Sequence, residues 1–240
     1  MRLAYNGATF HGWQSQPNAV SVQSTIEKAM SMILHAPIKI TGAGRTDAGV
    51  NARSMVAHFD LDEPLLDIDG VVRSLNSLVG KNIAIYTIKE VHSEAHARFD
   101  AISRTYHYYT HCGKSPFLHT LSWQEPSHLD FDAMNRAASV LLEVEDFSSF
   151  AKLHSDARTN RCNVTYARWE ETDDGHVFVI TADRFLRNMV RAVVGTLVDV
   201  GRGKLNVEQF VKVIEGRNRC LAGTSMPPYP LFLWEVVYPY

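Results

Sequence analysis

The chain has 240 residues, 45% apolar and 21% charged, with a formal net charge of −2 at pH 7. That length suffices for one large domain or two small ones with a sizeable core, and the near-neutral balance excludes a uniformly basic nucleic-acid binder. No apolar run approaches the roughly 20 residues that span a bilayer, and the first residues lack the charged and apolar regions of a secretory leader.

The first predicted helix is capped by Ser21, with Val22, Ile26, Ala29, Met30 and Ile33 on one face. A strand is expected over 52–59, a helix over 66–79 and a strand over 82–91. Residues 104–111 are aromatic-rich and read as extended. A second amphipathic helix is expected over 130–142, with Met134, Ala137, Ala138 and Leu141 inward. Strands over 164–170 and 176–183 form a hairpin around Asp173, Asp174 and Gly175. A helix is expected over 185–200, stopped by Gly201. Another is capped by Asn206 and ends near Gly216. Residues 231–238 close the chain as a strand. Strands and helices do not alternate as strict βαβ units, so the fold class is α+β with a mostly antiparallel sheet. The expected division is an N-terminal half, 1–100, and a C-terminal half, 101–240.

Charge is unevenly spread. Residues 60–69 carry five acids and no base, whereas 184–219 carry eight bases against three acids. Such a segment can supply phosphate contacts within a neutral whole. The three cysteines, Cys112, Cys162 and Cys220, are isolated and odd in number. They suggest neither a disulfide framework nor a zinc site, and a reducing cytoplasm fits them.

Three stretches can carry chemistry. Gly42-Ala43-Gly44-Arg45-Thr46-Asp47-Ala48-Gly49-Val50 lies between two strands and sets Arg45 and Asp47 among small residues. It reads either as a ligand site around a carboxylate or as a turn in which Asp47 caps backbone amides. The Gly-Lys-Ser/Thr ending of a phosphate-binding loop is missing, and no second ligand lies nearby for a metal. The second stretch is the predicted helix over 185–200, apolar almost all round. Arg184, Arg187 and Arg191 fall on one side of it and need anionic partners, structural or bound. The third is Arg104-Thr105-Tyr106-His107-Tyr108-Tyr109, where Tyr106 and Tyr108 share a strand face. It forms either core or a stacking platform for a base. The pairs His92/His96 and His107/His111 have helical metal-ligand spacing but fall in or beside extended segments, so they are read as non-ligands.

Together these stretches resemble the TruA family of tRNA pseudouridine synthases. The resemblance runs nearly end to end. It is carried by Tyr5-Asn6-Gly7, Gly12-Trp13-Gln14, Gln16-Pro17, Val22-Gln23, Gly44 through Val50, His96-Ala97-Arg98-Phe99-Asp100-Ala101, Arg104-x-Tyr106-x-Tyr108, Phe185-Leu186, Met189-Val190-Arg191 and Gly195. It implies a pseudouridine synthase fold: an antiparallel central sheet flanked by helices, in two related halves. It implies a cytoplasmic homodimer that binds the tRNA anticodon arm. The implied reaction isomerises uridines 38, 39 and 40 without metal or organic cofactor. On this resemblance Asp47 is the catalytic carboxylate, Arg45 helps displace the target base, Tyr106 stacks on the uracil, and Arg191 is the basic residue that pairs with the aspartate. Ionised at neutral pH, an aspartate can serve as nucleophile or base.

The chain departs from the family pattern in three places. Asn51 stands where His usually follows Gly-Val. Asn6 stands in the usual Tyr-Asp-Gly, with few residues before it, as for a clipped first strand or a start placed downstream. Met226-Pro227 and Pro230-Leu231 replace the C-terminal Ala-Pro and Gly-Leu signals. The first two departures give a rival reading, an RNA-binding protein that keeps the fold without activity. A carboxylate-dependent hydrolase is a more distant rival, because Asp47 has no evident second acid.

Overall fold

The structure, a computed structural model, describes residues 1–126, 128–152 and 159–240. Contacts divide the chain into two units. The first comprises Met1–Ile102 with Leu233–Tyr240, and the second Ser103–Phe232.

The strands of the first unit are β1 (Arg2–Tyr5), β2 (Thr41–Gly42), β3 (Asn51–His58) and β4 (Ile83–Thr87). Its helices are α1 (Val22–Leu34) and α2 (Ile68–Leu78). Strand β1 pairs antiparallel with both β3 and β4, and β2 pairs antiparallel with β3. Residues 233–237 belong to β9 (Leu231–Val237), which neighbours β3. The last eight residues of the chain are therefore part of the first unit. Helix α1 begins where Ser21 accepts the Ser24 amide in a reciprocal capping box. Asp67, the last acid but one of the 60–69 run, caps α2 by accepting the Gly70 amide at 2.8 Å. Leu3, Ile26, Met30, Met55 and Leu75 are wholly buried.

The second unit holds β5 (Ser103–His111), β6 (Trp123–Gln124), α3 (Phe131–Val140), β7 (Val164–Thr172), β8 (Gly175–Ala182), α4 (Met189–Gly201) and α5 (Val207–Glu215). Strand β8 lies between β5 and β7, antiparallel to both, and the short β6 runs parallel to β5. Asp173 and Asp174 make the two-residue turn of the β7–β8 hairpin. Helix α3 packs on β7, α4 and α5. The mostly antiparallel sheet with flanking helices agrees with the α+β expectation. Among the described residues no helix is long and apolar enough to cross a membrane.

One predicted element is corrected. The helix expected from Phe185 starts at Met189. Asn188 has φ 66°, a left-handed conformation that a helix cannot pass through, and the Met189 amide closes a turn on the Leu186 carbonyl at 3.1 Å. Arg184 and Arg187 thus lie outside α4, and the three-arginine stripe does not exist. Arg187 is exposed, and only Arg191 sits on the helix.

Candidate active site

The 42–51 loop of the first unit is held by its backbone. The Ala43 amide donates to the Val56 carbonyl at 2.8 Å, continuing the β2–β3 pairing into the loop. Thr46 turns inward and is buried. The Tyr5 hydroxyl meets its Oγ1 at 2.8 Å, and its carbonyl accepts the Trp13 amide at 3.2 Å. The Val50 amide then donates to the Asp47 carbonyl at 3.1 Å, closing a turn through Gly49. Gly7 packs behind this turn. A Cβ there would lie 2.2 Å from the Val50 carbonyl oxygen, so no larger residue fits without moving the loop.

Asn51 completes the clamp. It is 1% exposed, and its Oδ1 accepts the Gly7 amide at 2.8 Å. The motifs Tyr5-Asn6-Gly7, Gly12-Trp13 and Gly44–Val50, far apart in the chain, therefore meet as one structure. What the clamp leaves outward is Arg45, exposed, and Asp47, half-buried. Beside Arg45 there is open space: a side chain at Gly44 would meet nothing within 4 Å among the described residues.

Beside the loop is a cleft of about 90 Å³, bordered by Trp13, Gln23, Gly44, Arg45 and Arg98. Gln23, from the Val22-Gln23 motif, organises its floor. Its Oε1 accepts the Gln14 Nε2 at 2.9 Å and the Ser15 amide at 2.8 Å, while its Nε2 donates to the Ile40 carbonyl at 2.9 Å. Arg98, a motif residue given no role by the sequence, is placed at this cleft by the fold.

In the second unit, Tyr106 lies half-buried on β5 opposite Ile180, with its ring edge-on to Phe185 at 5.0 Å. Tyr108 shares that strand face and is wholly buried. Its hydroxyl has no hydrogen-bond partner among the described residues. Burial pushes the Tyr108 phenol far above its ordinary range, Tyr229 acts in the same direction, and Arg191 opposes both. These three side chains are thus electrostatic neighbours.

Arg191 is fixed from two directions. Its Nε donates to the Met226 carbonyl at 2.6 Å, and its own carbonyl accepts the Met226 amide at 3.1 Å. One turn later Gly195 lets the 224–226 segment lie against α4, since a Cβ there would be 1.9 Å from the Thr224 carbonyl oxygen. Arg104 ties the β5–β8 end, donating to the Asp183 carbonyl at 2.6 Å. Several bases of the 184–219 segment have internal partners. Lys204 pairs with Asp199 at 3.1 Å, Arg217 with Asp146 at 3.3 Å, and Arg219 donates to the Ala222 and Gly223 carbonyls and the Ser225 hydroxyl. Arg202 and Lys212 are exposed.

Among the described residues no three or more His, Cys, Asp or Glu side chains are gathered as a metal site. His107 and His111 stand on an extended strand. His92 and His96 flank a turn in which the His96 ring contacts His58 at 4.6 Å.

A family model described as tRNA pseudouridine synthase matches residues 137–239. A protein of Parabacteroides distasonis named tRNA pseudouridine synthase A is 54% identical over 99% of this chain and 94% of its own length. The chain belongs to the tRNA pseudouridine synthase A family. Proteins of the same name from Bacteroides fragilis, 51% identical over 99% of this chain and 94% of their own length, and from Porphyromonas gingivalis, 53% identical over 99% and 95%, agree. The family-model match falls on the stretch containing α4. The full-length relatives extend the likeness over the clamped loop that carries Asp47.

Proposed function

We propose that this chain isomerises uridine to pseudouridine in the anticodon arm of tRNA, at positions 38, 39 and 40. Asp47 is the catalytic carboxylate, Arg45 displaces the target base, Tyr106 stacks on the uracil and Arg191 is the basic residue of the site. The protein acts as a cytoplasmic homodimer with no cofactor. The observation that carries this reading is the 42–51 loop. Its backbone is fastened from behind by Tyr5, Gly7, Trp13 and Asn51, with Asp47 half-buried at its turn and open space at Gly44 beside Arg45.

The chemistry needs little else. The bond from C1′ to N1 breaks, the base turns, and C1′ bonds to C5. The C5 proton is lost and N1 gains one, so nothing is oxidised or consumed. A positioned carboxylate can attack C1′ or C6 as a nucleophile, or remove the C2′ proton as a base. Extruding a stacked uridine costs a few kcal/mol, offset by stacking on an aromatic ring and by contacts to the base edge.

The inactive-binder reading rested on Asn51 and Asn6, and both have structural work compatible with turnover. Asn51 accepts the Gly7 amide, a task that needs an acceptor and no titrating group. Asn6 accepts the Ala8 amide at 3.0 Å, as an aspartate would at the same turn. The test is incubation with unmodified tRNA bearing uridines at 38, 39 and 40, followed by carbodiimide labelling and primer extension. Pseudouridine confined to those positions is the expected result. Modification elsewhere, or tRNA binding with no modification, would contradict the assignment.

A further inference from the structure

The motif His96-Ala97-Arg98-Phe99-Asp100-Ala101 has no part in the mechanism above, yet its turn is held by a dense set of hydrogen bonds. The Asp100 amide donates to the His96 carbonyl at 3.1 Å, and the Asp100 carboxylate accepts the His96 amide at 2.6 Å. His96 Nδ1 accepts the amides of Arg98 and Phe99 at 3.1 and 3.3 Å. His58 Nδ1 accepts the Ala97 amide at 3.1 Å, and the Tyr238 hydroxyl donates to the Ala97 carbonyl at 2.5 Å. The hydroxyl of Tyr240 adds a bond to Asp100 at 3.1 Å. The product of this fastening is a fixed Phe99 that is 74% exposed.

The rings around it are ordered outward. His58 contacts His96 at 4.6 Å, and His96 stacks on Phe99 at 4.3 Å with 29° between planes. His58 is tilted 59° to His96 and both are half-buried, so Phe99 is the open end of a three-ring cluster and the outer member of its one stacked pair. A planar aromatic group is the natural next member. Beside Phe99, the guanidinium of Arg98 lies 5.7 Å from the ring centroid and reaches the cleft that Arg45 and Gly44 also border. Among the described residues two arginines and no acid line that cleft, which favours an anionic occupant.

We infer that Arg98 and Phe99 form a second RNA contact, in which Arg98 takes a backbone phosphate at the cleft and Phe99 stacks on a nucleobase flanking the target uridine. This rests on the proposed action on tRNA. The rigid turn explains how so exposed an aromatic ring serves binding, because little side-chain and loop freedom is left to be lost on association. The charge and stacking chemistry select a nucleotide over an apolar protein surface.

The test compares Phe99→Ala, Phe99→Leu, Phe99→Trp and Arg98→Gln for tRNA affinity at several salt concentrations, for KM and kcat, for thermal melting and for sedimentation. Phe99→Ala should weaken tRNA binding and raise KM about tenfold, with kcat at saturating tRNA changed less than about twofold. Phe99→Leu should behave like the alanine variant and Phe99→Trp like the parent, because stacking rather than apolar bulk is required. Arg98→Gln should lower the salt slope by about one charge, and Phe99→Ala should not. A fluorescent 2-aminopurine placed beside the target uridine should be quenched by the parent and by Phe99→Trp only.

Unchanged affinity in Phe99→Ala, or full affinity in Phe99→Leu, would overturn the inference. So would a change in oligomeric state that accounts for the loss, since the ring would then pack on a second copy of the chain. Binding is read independently of turnover. Weakened binding by Phe99→Ala in a parent that modifies no tRNA would leave this contact standing and remove the proposed reaction instead.

Discussion

In the 42–51 loop it is the backbone that is fastened, behind an exposed Arg45 and a half-buried Asp47. Along α4 the reverse holds: Arg191 is itself bound through Nε to the Met226 carbonyl, on a helix buried along nearly its whole length. Thr46, Val50 and Asn51 face inward so that Arg45 and Asp47 need not, whereas Arg191 has the 224–226 segment on one side and Tyr108 nearby. The difference teaches where disturbance should appear. A change behind the loop moves a reacting group with little loss of packing. A change around α4 costs packing first.

The largest expected effect is at Gly7. Gly7→Ala puts a methyl group 2.2 Å from the Val50 carbonyl oxygen and displaces the Asp47 turn. A shift near 1 Å at a reacting group costs about a hundredfold in rate, so single-turnover pseudouridine formation should fall by that order while tRNA binding persists. A near-normal rate would break the comparison on the loop side.

Gly195→Ala is its counterpart on α4. The new methyl meets the Thr224 carbonyl at 1.9 Å, and overpacking of this kind costs roughly 1–3 kcal/mol. Calorimetry should show Tm lower by about 5 °C. An unchanged Tm with a lost rate would show that α4 behaves like the loop.

His107, half-buried on the opposite face of β5, sharpens the packing side through pH. Burial pushes it down from 6.5 to about 4, against a smaller opposing effect of Glu170. Between those values the unfolded chain binds a proton that the folded chain does not. Its contribution is therefore complete above about pH 6.5 and is lost as the pH falls toward 4. Tm should drop across that window, and the drop should be smaller in His107→Gln. Equal slopes would contradict the assignment. The smallest effect is expected for Tyr108→Phe, which removes a buried hydroxyl with no hydrogen-bond partner among the described residues. Stability should stay within about 1 kcal/mol of the parent or rise. A loss of twice that would reveal a hydroxyl contact of real weight.

Much of this architecture was legible before the fold. Ser21 and Asn206 marked helix starts because their side chains do cap, each accepting the amide three residues on. The 42–50 stretch stood out chemically because two charges sat among small residues. Periodicity places the start of α4 too early because apolar residues continue back through Leu186 and Phe185, and it carries no sign of Asn188's left-handed backbone. The two-residue strands β2 and β6 have no pattern of their own and exist only through their partners. The clamp behind Asp47 was hidden for the same reason. Tyr5 and Thr46 are 41 positions apart, and only the β1–β3 pairing makes them neighbours.

The central claim is that the clamped loop exists to present the Asp47 carboxylate. The direct measurement is pseudouridine formation by Asp47→Asn beside the parent on the same unmodified tRNA, with tRNA binding and melting recorded for both. The account predicts pseudouridine with the parent alone, at equal fold stability and with binding retained. Comparable pseudouridine from Asp47→Asn would contradict it and take the catalytic role away from Asp47.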